Sequence, residues 1–319
     1  MGVMAPRLSV VIPTHHTREL TLRCLDALQA CPPESAEIIV VDDGSTDGTA
    51  EAIRSRHPAV KLVSLTPSRG FAAAANRGAG EANSNLLFLL NSDTEVEPAT
   101  LSRLLAAFDG NPRLGVAGAE LRCPDGRPQW SAGPAPTPLW LFALASGIVR
   151  ALERLPGYRR LRPEGGARDR VEWVCGAAMA VRRDAWLAVG GFDERFHCYC
   201  QDLDLCLRVR AAGWRVAVVA GARVMHLGGG TIGQRGGAVS DRSHPALLWT
   251  DLVRWAAKHG GPSRARDASR VLRLGGAIRV GARRLVVPFL PADRREAWTL
   301  ETRAFQEALA ALARGLPTH

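Results

Sequence analysis

The sequence predicts an α/β protein: a mixed but mainly parallel open sheet flanked by helices, with a helical extension at the C-terminus. Three observations support this. Short β-branched runs alternate with amphipathic stretches from Leu8 onward, the rhythm of repeated βαβ units. Runs such as LLFLL (86–90) are apolar at every position, as strands covered by helices on both faces must be. After residue 240 the strand pattern stops and helical periodicity rich in arginine replaces it. The chain has 319 residues, 46% hydrophobic and 23% charged, enough for one large α/β unit with an appendage. That composition excludes a disordered or fibrous protein.

The elements follow in order. LSVVIP (8–13) is the first strand, a helical stretch surrounds Leu20, Cys24 and Leu28, and EIIVVDD (37–43) is the second strand. A helix after Ser45 leads to VKLVSL (60–65), and a helix through FAAAANRGAGEA (71–82) leads to LLFLL. Pro98 suits the first turn of the next helix, where a missing N–H costs no hydrogen bond. LGVAGAEL (114–121) is a further strand. Seven prolines between 124 and 163 break the rhythm, so 122–170 is expected to be an irregular excursion. Order returns with VEWVCGAAMAV (171–181) as a strand, a short helix from Asp184, a helix through QDLDLCLRVRAAG (201–213) and the strand WRVAVVA (214–220). The expected division is a sheet domain over 1–240 and a basic helical extension over 241–319.

The net charge of +10 is uneven, since residues 241–319 hold 14 Lys/Arg against 7 Asp/Glu. Between Arg270 and Leu285 a helical wheel gathers Val271, Leu274, Ile278, Ala282 and Leu285 on one stripe. It sets Arg273, Arg279, Arg283 and Arg284 away from that stripe. The result is a basic amphipathic helix, weakened by Gly275, Gly276 and Gly281. It fits an anionic membrane surface, and a homodimer interface is the alternative. Nucleic acid is not the expected partner, because no aromatic residue interleaves the arginines from Arg264 to Arg284. No apolar run approaches the ~20 residues of a membrane span. The N-terminus lacks a signal-peptide pattern, so the expected location is the cytoplasm, with the inner membrane face as a peripheral site. Seven scattered cysteines without a Cys-x-x-Cys pair read as reduced thiols, and zinc at Cys198, Cys200 and Cys206 lacks a fourth ligand.

In open parallel sheets ligands bind beyond the carboxyl ends of the strands. The second strand ends in VVDDGSTDG, where Asp42 and Asp43 leave the sheet. An Asx-turn with a helix cap accounts for Asp43 to Asp47 as well as ligand binding does. LLFLL runs into NSDTEVEP, placing Asn91 and Asp93 on one side of an extended segment. Two oxygen ligands one residue apart suit a hard divalent cation that also binds a diphosphate, with capping of the next helix as the competing explanation.

Taken in order, SVVIPTHH, VVDDGSTDG, the run from Arg69 through Asn76, LLNSD, CGAAMAVRR, GGFDERFHCYCQDLDLCLRVRAAGW and the later His226 resemble family-two glycosyltransferases. The resemblance covers residues 8 to 232 and is strongest to the bacterial rhamnosyltransferase-like subgroup. It implies a Rossmann-like GT-A fold, a nucleotide-sugar donor (a dTDP- or UDP-sugar), Mn2+ or Mg2+, and inversion at the anomeric carbon. It further implies a glycan or lipid-linked acceptor. By this resemblance Pro13 and Thr14 line the base pocket, Asp43 bonds the base with Asp42 beside it, and Arg69 and Asn76 face the nucleotide. Asn91 and Ser92 belong to the donor site, while Asp93 and His226 hold the metal. Asn91 stands where the generic Asp-x-Asp motif has its first acid, and ligates only through a neutral carbonyl. The 122–170 excursion, Trp173, Cys175, Gly176, Asp193, Glu194 and Gln201 lie on the acceptor side, though core packing explains Trp173 and Cys175 nearly as well.

Inverting transfer needs one base for the acceptor hydroxyl. The resemblance assigns it to Asp202, the second acid of a Glu-Asp pattern. Asp202 and Asp204 are two apart on a helix and point to different faces, which argues against a glycosidase-type pair. Gln201 replaces the usual Glu and drops a charge, which is expected to lower the pKa of Asp202 and weaken the base. GGGTIG (228–233) formally matches G-x-G-x-x-G but follows no first strand, and is read instead as a flap over the donor phosphates. Two other classes are weighed. A sugar nucleotidyltransferase calls for a glycine-rich basic loop after the first strand, where this chain has PTHHTRE. A noncatalytic basic binding protein is suggested only by the charge.

Overall fold

A single eight-stranded sheet organises the first of two compact units. The computed structural model describes residues 6–30, 36–148, 171–196, 198–227 and 244–315. Its first unit comprises the described residues up to Pro134, 171–196 and 201–227; the second comprises 135–148, Cys198–Cys200 and 244–315.

The strands are β1 (Leu8–Thr14), β2 (Ala36–Asp43), β3 (Lys61–Leu65), β4 (Leu86–Leu90), β5 (Thr94–Val96), β6 (Leu114–Arg122), β7 (Ala132–Gly133), β8 (Trp173–Val174), β9 (Ala178–Arg182) and β10 (Arg215–His226). The large sheet runs β3-β2-β1-β4-β9-β6-β10-β5, and β7 and β8 form a separate two-stranded sheet. Neighbours among β3, β2, β1 and β4 are parallel, as are β6 and β10. β9 enters antiparallel between β4 and β6, and β5 pairs antiparallel with β10. The mixed, mainly parallel sheet is therefore as expected.

Helices α1 (Arg18–Ala30), α2 (Thr49–Arg56) and α4 (Thr100–Asp109) cover one face, while α3 (Phe71–Gly80), α6 (Arg183–Val189) and α7 (Gln201–Ala211) cover the other. Strand residues alternate between the two cores: Val10, Ile12, Phe88 and Leu90 pack with Leu25, Leu104 and Phe108. Val11, Leu87 and Leu89 pack with Ala74, Ala75 and Leu205. Period-two alternation with both faces apolar is why LLFLL is apolar throughout.

Three boundaries differ from expectation. Pro98 stands before α4 instead of in its first turn, since Ala99 is the N-cap. VEWVCGAAMAV splits into β8 and β9 around the turn 175–177, which lies at the site below. β10 runs on from 220 to His226 after a register irregularity between Val218 and Arg223.

In the second unit, α5 (Pro138–Ser146) and α9 (Ala292–Arg314) pack on α8 (Pro245–Val286), which is interrupted at Gly261 with φ 71° ahead of Pro262. The expected apolar stripe of α8 points the other way from the core. Leu274, Ile278, Ala282 and Leu285 are exposed, while Leu272, Gly275, Gly276, Val280 and Arg283 are buried. The cause is close approach. A Cβ at Gly275 would lie 2.9 Å from the Phe142 carbonyl oxygen, and one at Gly276 would lie 2.5 Å from Cη2 of Trp249. These two glycines, expected to weaken the helix, make its packing face. Arg279 and Arg283 turn inward with them: Arg279 stacks 3.9 Å from the centroid of Phe305, and Arg283 pairs with Glu301 at 2.7 Å over the Trp298 ring. Buried Asp251 pairs with Arg254 and accepts the N–H groups of Cys198 and Tyr199 at 3.2 and 3.0 Å. No helix among the described residues is long and apolar enough to cross a membrane.

Candidate active site

β4 delivers Asn91, Ser92 and Asp93 to the carboxyl end of the sheet, where strand order and register bring in His226. Antiparallel pairing of β5 with β10 sets His226 opposite Thr94, and the Leu227 N–H donates to the Asp93 carbonyl at 3.0 Å. The imidazole Nε2 thereby comes to 3.3 Å from Oδ1 of Asp93, both side chains largely buried. Nδ1 of His226 lies 3.0 Å from Oε1 of Gln129. A glutamine oxygen only accepts, so Nδ1 is the donor of that pair, and Nε2 is the ring atom turned toward the carboxylate.

Under this pair lies a chain of buried hydroxyls. Ser92 Oγ is 2.9 Å from Thr17 Oγ1, which is 2.8 Å from Thr14 and 3.2 Å from Thr21. Thr14 and Ser92 thus tie β1, α1 and the loop after β4 together through Thr17; Pro13 is buried in β1. The Asn91 N–H donates to the Ala177 carbonyl at 2.9 Å, while its Oδ1 is buried and accepts no hydrogen bond from the described residues.

Asp43 is committed to the loop before α3. Its carboxylate accepts the N–H groups of Arg69 and Gly70 at 2.7 and 2.8 Å and the Ser68 hydroxyl at 2.7 Å. Gly44, at φ 73°, packs so that a Cβ would meet Ser68 N at 3.1 Å. Asp42 accepts the Ser45 N–H at 3.2 Å, and the Asx role falls to Asp47, which accepts both donors of Thr49. With three acceptor positions occupied, Asp43 keeps one for a ligand. His15, whose Nδ1 is 2.7 Å from the Asp43 carbonyl, was not singled out from the sequence and lies at this mouth.

Arg69, Asn76 and Glu194 meet, but not as separate donor and acceptor groups. Asn76 donates to the carbonyl of Phe192 and to Glu194, each at 3.0 Å, and accepts the Phe192 N–H at 2.9 Å. Both of its N–H donors and one lone pair of its oxygen clamp the GGFDE loop to α3. Arg69 reaches Glu194 at 3.3 Å, while Asp193 pairs with Arg195 instead.

Asp202 opens α7 against the turn between β8 and β9. Oδ2 accepts the Gly176 N–H at 2.9 Å and Oδ1 the Leu203 N–H at 2.8 Å. Burial pushes its pKa above the ordinary aspartate value, outweighing those hydrogen bonds. The net shift is thus upward, and Gln201 beside it is itself buried at the helix start. Asp204 is a different group altogether: fully buried, it pairs with Arg208 at 2.7 Å, and Arg208 also ties down the Val189 and Gly191 carbonyls. Within the turn, burial and then the charges of Asp202 and Asp93 push the Cys175 thiol up to about 12, so both acids act on one point. Trp173 donates to the Pro134 carbonyl and meets the Trp130 ring edge-on at 5.0 Å.

With the sheet and its strand-end residues placed, the chain can be compared with known proteins. The profile of glycosyl transferase family 2 matches residues 9–183. The chain belongs to glycosyl transferase family 2. This glycosyltransferase is 32% identical over 236 residues to the N-acetylglucosaminyl-diphospho-decaprenol L-rhamnosyltransferase of Mycobacterium tuberculosis, covering 70% of the chain and 76% of that relative. It is 30% identical over 233 residues to the O-antigen biosynthesis protein RfbC of Myxococcus xanthus, covering 69% of the chain and 17% of that larger protein. A solved mannosyltransferase from Pyrobaculum calidifontis, in complex with GDP-Man and Mn2+, shares the GT-A fold at a TM-score of 0.57 and 19% identity, over 98% of this chain and 86% of that one.

The glycosyltransferase has a donor set whose chemistry fits a divalent cation: the buried Asp93 carboxylate, the His226 nitrogen 3.3 Å from it, and the Asn91 oxygen on the same loop. Among the described residues no group of three or more His, Cys, Asp or Glu gathers. Gln129, Trp130 and Thr17 had no motif to mark them. Gln129 and Trp130 fall in the proline-rich excursion and reach the site only because the Gln129 N–H pairs back to the Leu121 carbonyl at 2.9 Å. The GGGTIG flap lies outside the described residues.

Proposed function

We propose that this glycosyltransferase transfers a sugar, rhamnose from dTDP-rhamnose in the first instance, to a lipid-linked glycan during bacterial cell-surface polysaccharide synthesis. The observation that carries the reading is the facing pair of Asp93 Oδ1 and His226 Nε2, separated from Asp202 by the single turn 175–177. The acceptor class is supported by the mycobacterial relative, a diphospho-decaprenol L-rhamnosyltransferase, and the donor class by the GDP-Man complex of the archaeal neighbour.

Asp93, His226 and the Asn91 oxygen would hold Mn2+ or Mg2+, the imidazole favouring Mn2+. Bound there, the ion supplies positive charge for the departing diphosphate. The chain's own groups do the rest. Asp202 accepts the proton of the acceptor hydroxyl, and the Gly176 and Leu203 N–H groups keep its carboxylate in one orientation. Its raised pKa makes it a stronger base than an exposed aspartate, provided the medium keeps it ionised. Asp43 and the hydroxyl chain act earlier, fixing the loops that receive the nucleotide. Inversion at the anomeric carbon, typical of the family, requires only this one carboxylate.

The test is diphosphate release from a panel of nucleotide sugars with Mn2+ or Mg2+, using a short-chain polyprenyl diphosphate sugar as acceptor. The expected result is selective turnover of dTDP-rhamnose that stops on chelation. Turnover indifferent to chelator removes the metal, and turnover of another donor alone removes rhamnose.

A further inference from the structure

α8 beyond Gly261 turns an apolar ridge to solvent. Leu274, Ile278 and Leu285 are 59%, 49% and 75% exposed, and Phe289, in the 3-10 turn Val287–Phe289 that follows, is 87% exposed. At about 100° per residue the three helical positions share one side, and the exposed Arg270, Arg273 and Arg284 run along one flank of it. A shallow groove of about 470 Å3 joins the two, lined by Arg270, Arg273, Leu274, Ala277 and Leu309. Core packing does not use this face, because the opposite side of the helix carries Leu272, Gly275, Gly276 and Val280 into the unit. A monomer in water seldom leaves so many large apolar side chains contiguous and bare.

We propose that this face docks on an anionic lipid bilayer, its ridge entering the boundary between headgroups and acyl chains while Arg270, Arg273 and Arg284 meet lipid phosphates. Charge decides the occupant. Seven of the chain's ten net positive charges fall within 241–319, and a bilayer rich in acidic lipid is complementary to the arginine flank. A second copy docked by a two-fold axis through the same face would set one arginine row near the other. Arg270 pairs with Asp267 at 3.3 Å, but both are widely exposed and the pair gives way readily to a lipid phosphate. The inference deepens the proposed use of a lipid-linked acceptor, which would then be met where it resides.

Co-sedimentation of the full chain with vesicles of phosphatidylglycerol and phosphatidylcholine, and of phosphatidylcholine alone, tests it. The protein is expected to bind the anionic vesicles and to lose binding as salt is raised. The R270Q/R273Q/R284Q variant should bind about a hundredfold more weakly, at about fivefold per arginine. L285E/F289E should bind at least about tenfold more weakly with its arginines intact. All five positions are exposed, so unchanged circular dichroism and melting are the folding controls. Wild-type protein that ignores anionic vesicles at low salt, or variants that bind like wild type, would overturn the proposal. A concentration-dependent dimer abolished by L285E/F289E would reassign the face to a second copy. Transfer to a water-soluble acceptor analogue should be the same in all three proteins. Its absence from all of them would count against the proposed function and leave the vesicle result standing.

Discussion

The sheet unit and the helical unit obey opposite rules about what an apolar side chain is for. In the sheet, every residue of Leu86–Leu90 is buried and the two alternating sets fill two cores. In the second unit, the apolar stripe of α8 faces solvent, and its packing face is made of two glycines, Leu272, Val280 and an inward arginine. A strand inside a covered sheet has no solvent face, so hydrophobicity there predicts burial. A helix has several faces, and the one that packs is chosen by shape as well as by hydrophobicity. Gly275 and Gly276 allow approach closer than any side chain permits, and the rings of Trp298 and Phe305 accept guanidinium groups that would otherwise need water.

The largest effect that can break this contrast is catalytic. Asp202→Asn is expected to lower kcat by about a thousandfold or more while donor binding, followed by calorimetry, stays intact. An active variant would remove Asp202 as base and leave the turn 175–177 without its assigned role.

Stability should then separate the two units. Leu89→Ala, in the sheet, is expected to cost about 2–5 kcal/mol in denaturant unfolding. Gly276→Val should cost about 1–3 kcal/mol by overpacking against Trp249. Leu274→Ser, equally apolar to begin with, should stay within about 0.5 kcal/mol of wild type. Equal costs at Leu89 and Leu274 would erase the distinction.

A smaller change sharpens the site itself. Gln129→Leu releases the Nδ1 proton of His226 from its partner, and Mn2+ affinity measured by electron paramagnetic resonance should fall by about tenfold. Nitrogen chemical shifts of His226 in the metal-free protein should report a loss of the single tautomer; unchanged shifts would leave Gln129 as a bystander. The mildest expectation concerns pH. Because burial raises the Asp202 pKa, the base is protonated sooner as pH falls, so the acid limb of kcat should lie above the ordinary aspartate range. A limb at the ordinary value would mean that substrate binding restores solvation or charge around the carboxylate.

Much of the site was legible in short motifs, because residues at strand ends of a parallel sheet gather at one edge whatever the loops do. Asp93 could be placed that way, while Asp202, at the start of a helix, was assigned by the family resemblance. What the motifs did not give was which atoms the neighbours consume. Most hydrogen-bonding positions of Asp43 and Asn76 are taken by the loop before α3 and by the GGFDE loop. Sequence spacing cannot show this, since partners at 27 or 116 residues' remove are chosen by packing. The upward shift at Asp202 belongs to the same class, because it comes from burial.

By itself the amino-acid order determined the βαβ rhythm, the fully apolar central strand and the acids at strand ends, because each is a local pattern answering to backbone periodicity. The tertiary structure alone decided that His226 meets Asp93, that Gln129 meets its Nδ1, and that the stripe of α8 faces outward. Those outcomes depend on antiparallel pairing and close helix contact between distant segments, where the free energy lies in shape and partner, and no local pattern records either.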